Sequence, residues 1–471
     1  MNIRNSAGAI AFAAAAVLAG QANADDRVYA GFPVTVKGYT GSKTSSVSYT
    51  GQIARHVLHD SLKKLAGKGN GSANADLKAQ LTAYFSGEDA GRAIIAPVSK
   101  GGFKVSPANV DDLSKGKNIA GKTYKGAVTG WPNAMTGPEV VAFWIDKASS
   151  AKGGVDAANG YNYPQLISKF ILGAMAYNQV VDVYLDENLG ADKKPNDKPY
   201  SEGAAYTGKE HSWDEAFGYF GTPAHTMSLT AAEVYAIAKQ DEKVFAKADR
   251  NGNGVVDLYT EMVFGPAYYA AGFDKGGAGT SYLHTITGAF LDGRQLLTDA
   301  NGAALSAAQR ETLRGYAAVI EENWQAVLAE AVFKYAGSVY KDAAALNKAL
   351  DAGEDTAKLL DNYIKHWGEM KGFALALQTG RTNLGETAVR LNRLIGFGPV
   401  MPNSSQVVDV DSAGNYVKGE ATGLGEYMVH MLKVQKLMLD SFGVKARNND
   451  ALADLGDLSK KLGSGSSAEN D

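Results

Sequence analysis

Apolar residues at helical spacing, punctuated by capping boxes and terminal glycines, run through most of this chain and restrict its fold more than any other feature. Ile53, Val57, Leu62 and Leu65 follow a 3.6-residue period, as do Leu77, Leu81 and Tyr84. Tyr163 to Asn188 reads as one long apolar helix. Thr230-Ala-Ala-Glu233 and Ser306-Ala-Ala-Gln309 are capping boxes, whose paired side chains satisfy the first free N–H groups of a helix. The first opens a helix predicted to run into the loop at Asp249, the second a long helix through Tyr335. Further helices are predicted at 341–352, 355–379, 384–395 and 423–442, with Gly353, Gly380 and Gly443 where carboxy-terminal caps belong. The predicted class is all-α: one or two packed helical bundles over 25–462, with long irregular loops. Residues 25–50 read as an extended arm or short strands. Residues 100–162 and 396–422 read as irregular excursions, and 463–471 as a disordered tail, too small and polar to pack.

The first 24 residues have the pattern of a secretory leader. Arg4 supplies the positive start, Ala7 to Ala19 the apolar run, and Ala22-Asn23-Ala24 the small-x-small cleavage site. Cleavage after Ala24 would leave a periplasmic or secreted protein. Without a cysteine the chain has no disulfide framework. Removing the leader takes one arginine from 47 basic residues and nothing from 50 acidic ones, so the net charge becomes 46 − 50 = −4. That balance argues against nucleic acid or an anionic membrane surface as partner, and no later stretch is long and apolar enough to span a bilayer.

One loop carries a specific chemical expectation. Asp249, Asn251, Asn253 and Asp257 place side-chain oxygens at positions 1, 3, 5 and 9, with Gly254 at position 6 and the Val255 carbonyl at position 7. This is the spacing of an EF-hand-like calcium loop, in which the glycine permits the sharp turn. Position 12 is Thr260, and the expected acid, Glu261, follows one residue later. The sequence therefore predicts a calcium loop extended by one residue. The same residue types also build an ordinary polar turn.

Two further segments set a histidine beside acids. In the first, His211 is followed by Asp214 and Glu215. In the second, His366 is followed by Glu369. Residues three or four apart share a helix face, so either group can bite a transition metal such as iron or zinc, or form a plain hydrogen-bonded pair. His366 falls on a stripe with Leu359, Tyr363, Met370 and Phe373, which turns it toward a core or cleft. His56 and His59 flank Asp60 on an early helix without ligand spacing, and Glu321 and Glu322 read as a solvated face. No nucleophile elbow, phosphate loop or paired-histidine zinc helix is present, so no catalytic residue is assigned.

At these residues the chain resembles a bacterial envelope family known as domain of unknown function 4856 (DUF4856). That family carries a His-Trp-Asp-Glu-Ala segment ending in Gly-Tyr-Phe-Gly, an Asp-x-Asn-Gly-Asp-Gly loop, and a His-Trp-x-Glu-Met-Lys-Gly helix. Here these correspond to His211–Gly221, Asp249–Glu261 and His366–Phe373, with Asn253 in place of the family's usual aspartate. More distantly the chain resembles the imelysin-like periplasmic proteins, which are tied to iron uptake and classed with peptidases. Their Gly-x-His-x-x-Glu motif is matched by His366 and Glu369, with Ile364 in place of the glycine. The resemblance implies a periplasmic helical protein of iron or metal acquisition, binding a metal ion or an iron-bearing ligand and holding a structural calcium. Two alternatives stand beside it. One is a metal-dependent, peptidase-like hydrolase with Glu215 or Glu369 as base. The other is a non-catalytic scaffold that docks another envelope protein through 100–162 and 396–422.

Overall fold

The computed structural model describes residues 26–191, 193–420 and 423–456. The leader-like segment 1–24 and the tail 463–471 lie outside the described residues. The amino-terminal arm bridges to itself at Pro33 and Ser45. It leads into α1 (Thr50–Ala66) and α2 (Ala75–Phe85). Strand β1 (Val105–Ser106), the short α3 (Val110–Leu113) and α4 (Gly137–Ser150) follow. Next come β2 (Val155–Asp156), β3 (Tyr161–Asn162) and α5 (Tyr163–Ile171). The middle of the chain holds α6 (Gly208–Phe220), α7 (Ala231–Ala238), the short α8 (Phe245–Ala248), β4 (Val256–Asp257) and α9 (Gly265–Asp274). Then come α10 (Tyr282–Asp299), α11 (Ala307–Asp351), α12 (Ala357–Leu377), α13 (Gly385–Ile395), the hairpin β5 (Ser405–Val410) and β6 (Tyr416–Glu420), and α14 (Leu424–Phe442).

Helix α11 is the spine. Its 45 residues span about 67 Å at 1.5 Å per residue. Helices α10, α12 and α14 pack along it, α5 packs on α12, and α1 packs on α5. The helical class is as the periodicity predicts. Two glycines on α12 let α5 approach closely. A Cβ at Gly372 would lie 2.6 Å from the Lys169 Cβ, and one at Gly368 would press on the Asn162 carbonyl at 3.3 Å. No described helix is long and apolar enough to cross a membrane.

Four expectations need correction. The helix through Tyr335 and that predicted at 341–352 are one continuous helix, because nothing between them breaks the backbone pattern. The 163–188 helix is α-helical only to Ile171, then widens into π-helical turns over Leu172–Tyr177 and Gln179–Tyr184. The two excursions are not wholly irregular: α4 lies in 100–162, and the β5–β6 hairpin in 396–422. Finally, α7 does not run into the 249 loop. Gln240 takes a left-handed backbone (φ +54°), and a 3-10 turn (Glu242–Val244) and α8 intervene.

Candidate functional site

The residues of the His366 segment each meet a different neighbour. His366 Nδ1 lies 2.6 Å from Asp342 Oδ2 on α11. Trp367 donates its indole N–H to the Tyr427 hydroxyl, and the Lys371 ammonium donates to Asn392 and the Gly396 carbonyl. Glu369 turns elsewhere. It accepts from the Tyr335 hydroxyl at 3.2 Å and faces the Lys169 ammonium at 3.6 Å. The spacing correctly puts His366 and Glu369 one turn apart, but they serve different partners.

The His211 segment divides in the same way. The His211 ring stacks on Tyr206 and lies 3.7 Å from Glu215, and burial pushes its pKa below the usual imidazole value. Glu215 also accepts from the Gln52 amide at 2.7 Å. Asp214 is fully buried on another side of the helix, where it accepts from Tyr29, the Ser48 backbone N–H and Arg294. Arg294 also donates to Glu210, so one buried guanidinium ties α10 to two acids of α6. Burial raises the Asp214 carboxyl to about 7 against the pull of Arg294. This network is a structural tie. His211 meets Glu215, one of the two acids expected beside it, whereas His366 meets Asp342 of α11 and not the expected Glu369. The two histidines therefore pair with different acids.

The 249–261 loop is closed on itself. The Asp249 carboxylate accepts from the N–H groups of Asn253 and Gly254, and Asn253 Oδ1 accepts from Val255 N–H. The Glu261 carboxylate, 3% exposed, accepts from Arg250, Asn251 and Asp257 N–H groups. Gly252 and Gly254 take φ values of +69° and +85°, as a turn this tight requires. Burial, and then the nearby Asp249 and Asp257, push the Glu261 carboxyl above its usual range. The donor types and the backbone suit a hard cation. The carboxylates are instead satisfied by loop N–H groups, and among the described residues no three acid or histidine side chains converge as a preassembled metal centre.

The densest unassigned chemistry lies immediately beyond this loop. Met262 to Gly265 form one wall of a cleft whose other walls come from α1, α5 and α9. Its inner part, about 180 Å³, is lined by His59, Asp60, Lys63, Lys169, Tyr268 and Tyr269 among others. The outer part, about 500 Å³, shares Asp60 and Lys63 and adds Lys64 and Lys68. Asp60 and Lys63 share a face of α1 because they are three residues apart. Lys169 comes from the buried side of α5, a helix begun by the Asn162 cap and Pro164. The π-helical widening starts only three residues later, a feature frequent at functional sites.

Charge crowding perturbs these groups. The Lys169 ammonium is its first cause, and burial the second, that bring Lys63 down to about 7, against Asp60 and Glu369. Burial raises Asp60 to about 6, against Lys63 and Lys169. Burial also lowers Lys169, which Glu369 opposes. Tyr269 and Tyr335 lie with their hydroxyls 3.4 Å apart, and the Lys169 ammonium sits 5.5 Å above the Tyr269 ring. His59 is spent elsewhere: its Nε2 meets the Ser168 carbonyl at 2.9 Å, and burial drives its pKa to about 3. Asp60 and His59 stand out in the sequence, whereas Lys63 does not. Lys169 gives a signal only as a lysine inside an otherwise apolar helical stretch.

Residues 147–256 match the family model described as Domain of unknown function (DUF4856). The DUF4856 match takes in Lys169, the His211 segment and the loop as far as Val256. It stops before Glu261 and the His366 helix. It carries no information on the imelysin-like resemblance. No curated protein matches this chain, and no solved structure does.

Proposed function

We propose that the protein binds a small anionic ligand in the cleft between α1, α5 and α9, with calcium held in the 249–261 loop to fix one wall. The observation that carries the ligand is charge. Lys63, Lys64, Lys68 and Lys169 line the cleft, and Asp60 is the carboxylate among its lining residues. Lys64, Lys68 and Lys169 against Asp60 and Glu369 leave 3 − 2 = +1 with these groups ionised, and Lys63, lowered to about 7, adds part of a further charge. Positive charge in a partly dry recess attracts an anion more strongly than the same charge on an open surface.

Asp249, Asp257 and Glu261, with the Asn251 and Asn253 amide oxygens and the Val255 carbonyl, would hold the calcium. The ion would add positive charge beside the Glu261 carboxyl, which burial, Asp249 and Asp257 push above its usual range. The loop reaches the cleft directly, because the wall residue Met262 follows Glu261 in the chain. The leader-like start supports a periplasmic location. A metal-bearing ligand, as the imelysin-like resemblance implies, would enter this cleft as an anionic complex, since His211 and His366 each serve a local carboxylate.

Thermal melting in malonate, phosphate and chloride tests the ligand reading. An occupant at a hundred times its dissociation constant stabilises the folded state by about 2.7 kcal/mol. The expected result is a raised midpoint in at least one anion that Lys169→Met and the half-buried Lys63→Gln both abolish. Equal shifts in wild type and both variants, or no shift in any anion, would overturn it.

A further inference from the structure

We propose that Lys63 is a reactive amine that forms an imine with a small carbonyl-bearing acid, an aldehyde or keto acid, held in this cleft. The inference rests on the anion-binding reading and adds covalent chemistry to it.

Position singles out Lys63. It alone among the cleft lysines lines both the inner and the outer cavity, so its amine stands where a ligand entering from outside meets the buried end. Lys169 is nearly sealed and is held by Glu369 at 3.6 Å, whereas Lys63 is half-buried and open to the cavity. Both amines line the inner cavity, and the Lys169 ammonium acts on Lys63 there. A lysine beside a second cation and partly withdrawn from water has its nitrogen lone pair free in a larger share of molecules at neutral pH, which is the requirement for attack on a carbonyl. The lowered Lys63 pKa, about 7, agrees with this placement. Asp60, one turn away and raised to about 6, can both give and take a proton near neutrality.

The step balances without any other reactant. The Lys63 nitrogen attacks the carbonyl carbon, a C–N bond forms, and the carbonyl π pair moves to oxygen, which takes a proton from the Asp60 carboxyl. The nitrogen then returns a proton to the Asp60 carboxylate, leaving a carbinolamine. On reprotonation its hydroxyl departs as water while the nitrogen pair closes the C=N bond. The Lys169 ammonium would hold the ligand's carboxylate.

Glyoxylate with sodium cyanoborohydride at pH 7, followed by peptide mapping of the whole protein, reads this out. Reduction would fix the imine as a carboxymethyl group. Lys63 is expected to label at least about tenfold faster than the exposed Lys64 and Lys68, since each unit of pKa lowering raises the free-amine fraction about tenfold. Lys169→Met should slow Lys63 and leave Lys64 unchanged. Labelling of Lys63 no faster than of Lys64 would overturn the inference. Malonate melting shifts on the same preparation separate the two failures. Protein that binds malonate without selective labelling loses only the imine, and protein that binds no anion loses the reading beneath it as well.

Discussion

The ammonium of Lys169 on α5 lies 3.6 Å from the carboxylate of Glu369 on α12, and the two side chains are only 5% and 8% exposed. Glycine at 372 lets the helices come close enough for this pairing. Lys169 lines the inner part of the cleft, with Glu369 behind it. Removing one partner strands a buried charge, which costs about 3–5 kcal/mol. Lys169→Met and Glu369→Gln should each destabilise the protein by about 3 kcal/mol in urea unfolding. The double variant should lose less than the sum of the two, and strict additivity would show that the charges do not interact.

Acid should unfold the protein through its buried histidines. His56 is sealed, its Nε2 3.0 Å from the Tyr219 carbonyl, and burial lowers its pKa to about 4. An unfolded chain takes up that proton near pH 6.5. Between these values the unfolded state binds a proton that the folded state refuses. Stability is therefore complete above about pH 6.5 and falls as the pH drops toward 4, by about 3 kcal/mol for this ring. Denaturant unfolding at pH 7 and pH 4.5 measures the loss. His56→Gln should shrink it, and an unchanged loss would clear His56 of the effect.

Calcium should raise the melting temperature, and chelation should reverse the rise. At a hundred times its dissociation constant the ion adds about 2.7 kcal/mol. Glu261→Gln removes a carboxylate from the loop and should weaken or abolish the response while the protein still folds. A calcium-independent midpoint in the wild type would remove the ion from the account.

His366 offers a control. Its contact with Asp342 is 2.6 Å long, but the side chains are 27% and 20% exposed, so the pair belongs near the surface regime in which ion pairs contribute about 0–1 kcal/mol. His366→Ala should cost at most about 1 kcal/mol in urea unfolding and leave anion binding in the cleft unchanged. Loss of cleft binding in this variant would return the functional role to the histidine helix.

Much of the helical framework was legible because caps and periodicity are local. The boxes at Thr230 and Ser306 open helices as expected, and α12, α13 and α14 fall within two residues of the predicted spans. Helix α4 was equally legible and missed. Thr136, Pro138 and Glu139 give its start, but the glycines around it masked the short period. The β5–β6 hairpin was announced by Asp411, Gly414 and Asn415, which build its turn. The π-helical turns after Ile171 were not legible, since nothing in the local sequence marks them; they lie close against α12, where a Cβ at Gly173 would come within 2.5 Å of the Ala376 Cβ. The cleft was not legible either. Asp60, Lys63, Lys169 and Glu369 come from three helices far apart in sequence, and spacing within one helix says nothing about which lysine faces which acid across a bundle.

The most direct measurement is calorimetric titration of malonate into wild type, Lys63→Gln and Lys169→Met at low and moderate salt. The expected result is saturable one-to-one binding by the wild type, weakened by salt, and at least about tenfold weaker in each variant, which is the effect of losing about 1.4 kcal/mol. Absence of saturable binding, or equal affinity in all three proteins, would contradict it.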